Sequence, residues 1–112
     1  MTMNLAERRT VVEDFLKLLK LDLMNDDDKE FIYNIVKSLP RGTDIQKTRF
    51  YMYYGIGPNI NKKNTQIKIA NYYECSKTAV RTSIYTIHKI LFRVPEEQIL
   101  IMKNKVNQCL KK

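Results

Sequence analysis

Lys77, Thr78, Arg81 and Thr82 stand at i, i+1, i+4 and i+5 in a segment of helical periodicity, a spacing that puts them on one side of a helix. The chemistry available to such a group is recognition of nucleic acid. Arg81 carries a planar fork that can pair bidentately with a guanine, and Lys77 can reach a phosphate or a base edge. Both threonines can bond bases or meet a thymine methyl. A few residues earlier, Thr65, Gln66 and Lys68 open a shorter helical segment whose first backbone N–H groups can hold a phosphate. Lys62 and Lys63 add charge in the loop before it. The competing reading of all these side chains is a solvated helix face, so the elements that carry them decide what they mean.

No comparable group supports catalysis. His88 is the single histidine of the 112-residue chain, which leaves no multi-histidine metal site and no histidine-dependent triad. Its place beside Ile87 puts it on the outer face of a helix, solvated or near phosphate. Cys75 and Cys109 stand apart, with no CxxC and no Cys/His cluster, so free thiols in a reducing compartment are expected, with neither a disulfide nor a zinc site. The run Asp26-Asp27-Asp28 suits the start of a helix, whereas a magnesium site would need further ligands from other elements. The sequence therefore points away from an enzyme and implies neither cofactor nor metal.

The formal charge is +8, and it is unevenly spread. Residues 1–30 hold eight acids and five bases, a balance of −3, while residues 31–112 hold fifteen bases and four acids, a balance of +11. A segment so basic attracts polyanions, of which nucleic acid is the commonest in the cytosol. The acidic start could cover the basic face when no partner is bound. With 44% hydrophobic and 29% charged residues the composition is that of an ordinary globular domain. No apolar run approaches the roughly 18–20 residues of a membrane span. The start Met1-Thr2-Met3-Asn4 lacks the pattern of a signal peptide, so a cytoplasmic, nucleoid-associated protein with no membrane contact is expected.

The elements that must position the basic residues read as all-α, with five to six helices in a single domain spanning 1–112. In the first 40 residues an acidic helical pair is expected. Its first helix runs from about Asn4 to Leu21, with a stripe through Leu5, Val12, Phe15, Leu16, Leu19 and Leu23. Asn25 to Asp28 then caps a second helix that carries Ile32, Ile35, Val36 and Leu39 on one face and ends before Pro40. Thr43 or Asp44 starts a third, which Gly55 stops after Tyr54. Residues 55–63 read as a loop. Asn64 or Thr65 caps a short helix to about Tyr73, and Ser76 caps a longer one in which Val80, Ile84, Ile87 and Leu91 form the core face. Pro95 with Glu96-Glu97 opens a C-terminal amphipathic helix over 95–112, its apolar face formed by Ile99, Met102, Val106 and Cys109 or Leu110. Tyrosines and phenylalanines at 50, 51, 53, 54, 72, 73 and 85 are expected to close the core with their hydroxyls at its rim, in preference to stacking on bases.

The segment from Thr65 to Leu91, TQIKIANYYECSKTAVRTSIYTIHKIL, has the pattern of a helix-turn-helix. Ala70 is the small residue where the second helix crosses the first, Val80 is the apolar anchor ten residues later, and Ile67, Ala70, Val80 and Ile84 are expected to share a core. Together with DIQKTRFYMYYGI before it, this stretch resembles region 4 of bacterial sigma factors of the housekeeping family, over roughly 44–92. In that family the domain reads the promoter −35 element in the major groove and leans on the flap of the RNA polymerase β subunit. Matching positions carry the DNA-contacting role onto Lys77, Thr78, Arg81 and Thr82. Two positions depart from the family pattern: Glu74 stands where glycine is usual, at a turn that favours positive φ, and Cys75 replaces an aliphatic residue. No segment resembles region 2.

The resemblance thus implies a sequence-specific, double-stranded-DNA-binding transcription regulator, either half of a split sigma factor or an activator that touches core RNA polymerase. Two alternatives remain. One is a dimeric operator-binding repressor with residues 95–112 as its homodimer seam, from the 3-4-3 spacing of Ile99, Met102, Val106 and Cys109. The other is a protein-interaction module that binds polymerase or a sigma factor without reading DNA.

Overall fold

The first four N–H groups of a helix lack intrahelical acceptors, and five segments of this chain begin on a side chain that supplies one. Asn4 accepts from Glu7 N ahead of α1 (Leu5–Lys20), and Asn25 accepts from Asp28 N ahead of α2 (Asp26–Lys37). Thr43, Thr65 and Ser76 do the same for α3 (Asp44–Tyr54), α4 (Gln66–Tyr73) and α5 (Lys77–Leu91). Before α2 and α3 the bond is reciprocal, with Asp28 and Gln46 reaching back to the cap's own N–H. The last helix, α6 (Glu96–Leu110), follows Pro95 and has no side-chain cap, which suits a residue with fixed φ and no N–H. The computed structural model describes residues 2–58, 60 and 62–111, and among them the six helices account for all regular structure. The all-α expectation therefore holds. Of the expected 55–63 loop, Asn59 and Asn61 lie outside the described residues, as do Met1 and Lys112 at the ends of the expected 1–112 domain.

One core runs through the chain. It includes Phe15 and Leu19 from α1, Ile32 and Val36 from α2, Phe50 from α3, Ile69 from α4, Ile87 and Leu91 from α5, and Ile99 and Met102 from α6. α5 packs on α3 and α4, α1 packs mainly on α6, and α1 also touches α3 and α5. The radius of gyration is 13.7 Å, close to the ~13 Å expected of one compact domain of this length. Among the described residues no helix is long and apolar enough to cross a membrane.

Several sequence expectations need correction. Leu5 and Leu23 are about half exposed, and Met24 is buried in their stead. The stripe breaks because α1 ends at Lys20 and Asp22 takes a left-handed φ of 60°, so the helical phase is not carried on to residue 23. Ile67 is 57% exposed, and Ile69 takes its place in the core beside Ala70. At 100° per residue those two isoleucines point about 200° apart, and the cap at Thr65 sets which one faces α5. His88 is another, described with the residues around it below.

Candidate nucleic-acid interface

α4 and α5, joined by the turn Glu74–Ser76, pack on each other and on α3. Ala70, Val80 and Ile84 are buried at the centre of this unit. The turn is held by Cys75 N donating to Ala70 O at 3.0 Å, which requires Glu74 in the left-handed region at φ 54°. That conformation suits glycine and strains a side chain. Cys75 is half-buried against the core, where it fills the aliphatic position.

Arg49 of α3 locks the unit from below. Its guanidinium donates to Ser83 Oγ at 2.9 Å and lies 4.6 Å from the centre of the Tyr73 ring, so one side chain holds both α4 and α5. Burial, with Tyr72 alongside, pushes the Tyr73 hydroxyl's pKa up, against the pull of Arg49. Gly55, at φ 68°, ends α3 where the chain returns past it. A Cβ there would lie 2.8 Å from Lys63 N, so no larger residue lets the 62–63 segment lie against α3.

On this frame Ser76, Lys77, Thr78, Arg81 and Thr82 are all exposed, side by side on the first two turns of α5. Ser76 Oγ is occupied in capping, accepting from Ala79 N at 3.0 Å. The N–H groups of Lys77 and Thr78 are those a helix start leaves without an intrahelical acceptor. Thr65 likewise spends its hydroxyl on Lys68 N, at 3.2 Å, while Lys68 and Lys62 are exposed and Gln66 is partly buried. The structure thus brings the α5 group together and sets the α4 start and Lys62 beside it in sequence as a second, looser set.

Lys63 leaves the set. Its ammonium pairs with Asp22 Oδ2 at 2.7 Å and donates to Lys20 O, capping the end of α1. That bond holds the Asp22 carboxyl below its usual range. Lys63 therefore positions the loop and offers no free charge. This is also as far as the acidic start reaches. Glu13 pairs with Arg9 at 2.7 Å, and Asp28 pairs with Lys105 at 2.8 Å besides closing its capping box. α1 is a core element and does not cover the basic face. Between Asp44 and Glu96 the chain carries nine bases and a single acid, Glu74. Among the described residues none of Lys68, Lys77 or Arg81 is paired with a carboxylate.

His88 is not on the outer face. It sits between α3 and α5 with its Nε2 2.8 Å from the Tyr54 hydroxyl and its ring edge-on to Phe50. Burial lowers its pKa to about 4, against a small opposing pull from Glu13, so the ring is neutral. The Tyr54 hydroxyl, desolvated beside it, is pushed far above its ordinary value. His88 follows Ile84 by four residues and precedes Leu91 by three, a register within the buried arc that the sequence reading passed over. Of the aromatic group, Phe50 and Tyr54 are buried and Tyr51, Tyr53 and Tyr73 half-buried, as expected, but Tyr72 and Tyr85 are exposed. Tyr85, on the outward side of α5 between Arg81 and Lys89, is a surface residue the core reading missed.

The proposed seam of α6 is occupied within the chain. Ile99, Met102 and Val106 are buried in the interface with α1, and Cys109 Sγ lies 3.2 Å from Leu23 O. Those residues pack within their own domain. No protein family, curated relative or solved structure matches this chain.

Proposed function

We propose that this protein is a sequence-specific DNA-binding transcription regulator that presents the N-terminal half of α5 to the major groove of double-stranded DNA. The observation that carries the reading is the exposed, unpaired row of Lys77, Thr78, Arg81 and Thr82, held on an α4–α5 unit that Arg49 braces against α3. In this reading Arg81 and Lys77 read base edges or phosphates, Thr78 and Thr82 bond bases or meet methyl groups, and Thr65, Gln66, Lys68 and Lys62 hold the flanking backbone. The resemblance to sigma region 4 supports a second contact, with core RNA polymerase, as a split-sigma subunit or a polymerase-docked activator.

The experiment is a selection of duplexes from a random pool, paired with a nuclease-treated pull-down probed for polymerase subunits. Enrichment of one sequence that Arg81→Ala abolishes supports DNA readout, and recovery of core polymerase after nuclease places the protein on the enzyme. A chain that enriches nothing yet still retains polymerase is an interaction module, and the DNA reading falls.

A further inference from the structure

The outward side of α5 does not stop at Thr82. Tyr85, Thr86 and Lys89 continue it toward the C-terminal end, with Arg93 just beyond, where α5 meets the loop after α2 across a groove of about 580 Å³. Three cations, Arg41, Lys89 and Arg93, line this groove together with Gln46 and Thr86, and no carboxylate lines it. None of the three is in an ion pair among the described residues, although Arg9, Lys63 and Lys105 elsewhere in the chain are all paired.

Lys89 and Arg93 alone would be explained as cations near the negative end of the α5 dipole. Arg41 would not, because it comes from a different segment and is brought there by two specific features. Gly42, at φ 89°, lets the loop press on α5, since a Cβ would sit 3.0 Å from the Ile87 side chain. Lys47 Nζ ties the same loop down by donating to Leu39 O at 2.8 Å.

From Lys77 to Leu91 α5 is about 21 Å long, whereas the major groove is about 12 Å wide. A helix that inserts its N-terminal half therefore carries its other end out over a sugar–phosphate strand. We infer that the Arg41, Lys89 and Arg93 groove is a second DNA contact, holding backbone phosphates of the duplex that the start of α5 reads. The apolar lining of Leu39, Ile90 and Val94 suits the sugar edge of that strand. This inference rests on the DNA-binding reading above and adds affinity without sequence preference.

The test is a salt titration of binding to a selected duplex and to a random-sequence duplex, comparing the intact chain with R41Q/K89Q/R93Q and with K89Q alone. Thermal unfolding confirms that these surface changes leave the fold intact. The expected result is an equal loss on both duplexes, at least about tenfold at 50 mM salt for the triple variant. The slope of log affinity against log salt should also shallow by about 2–3 for the triple variant and by about 1 for the single. Unchanged affinity and slope in the triple variant, with R81A still weakened, overturns the inference and leaves the DNA reading standing. If the triple variant instead loses affinity for poly-L-glutamate and keeps its duplex binding, the groove serves an acidic protein surface and the inference is overturned. If the intact chain binds neither duplex, the DNA reading and this inference fail together.

Discussion

The α1–α6 side of the molecule and the α4–α5 face use the same cationic residues in opposite ways. On the first, three cations at interfaces have partners: Arg8 donates to Val94 O at 2.5 Å, Lys105 pairs with Asp28, and Lys63 pairs with Asp22. These charges join elements and are satisfied inside the protein. On the second, Lys68, Lys77 and Arg81 are exposed and have no carboxylate partner among the described residues. A charge left unpaired next to others of its sign contributes no internal contact and costs some repulsion, and it stays available to an external partner. The difference teaches that net charge locates a binding face only after the structurally spent cations are subtracted, as Lys63 illustrates.

Four changes would break or sharpen that contrast. Lys77→Ala with Arg81→Ala should weaken binding to a selected duplex by about 1–3 kcal/mol per lost contact while leaving the melting temperature unchanged, checked by anisotropy and calorimetry. A parallel loss of stability would mean that these residues belong to the satisfied class. The His88 site should make folding acid-sensitive. Its pKa, lowered from 6.5 to about 4, means the unfolded chain binds the proton first as pH falls. Stability is therefore fully present above about pH 6.5 and declines toward pH 4, by on the order of 2–3 kcal/mol. Denaturant midpoints across that window should drop steeply for the natural chain and less so for His88→Gln.

Asp28→Ala removes its half of the reciprocal cap and the ion pair with Lys105, and should cost about 1–2 kcal/mol of stability with duplex affinity unchanged. An effect on DNA binding would show that the two regions are coupled. Smallest, Glu74→Gly should raise stability by roughly 0.5–1 kcal/mol, because glycine adopts the left-handed turn without strain. Thermal unfolding checks it, and a loss of stability would show that the Glu74 side chain makes a contact that outweighs its backbone cost.

Much of this molecule was legible in its residue order. Helix starts were the clearest, because a cap acts within four residues: Asn4, Asn25, Thr43, Thr65 and Ser76 each bond the N–H three positions on. The buried face of α5 was legible too, since Val80, Ile84, Ile87 and Leu91 repeat at helical spacing over about three turns. In α4, only eight residues long, two isoleucines at 67 and 69 compete for the core, and periodicity over two turns cannot choose between them. Lys63 escaped for a related reason, since its partner Asp22 lies far along the chain. The register of His88 within the buried arc was legible, but its partner Tyr54 was not.

Local interactions thus settle the class, the helix boundaries and the outward row on α5, because caps, glycine turns and 3.6-residue periodicity are properties of neighbours in sequence. Which face of a helix is covered, which cation is neutralised and which loop lies beside which helix depend on contacts between segments tens of residues apart. Arg41 joins Lys89 and Arg93 because Gly42 allows a close approach to Ile87 and Lys47 ties the same loop down, and Lys63 turns inward because α1 ends beside it. Desolvation and pairing are set by what packs around a group, so the spent charges and the available ones separate only once the chain has folded.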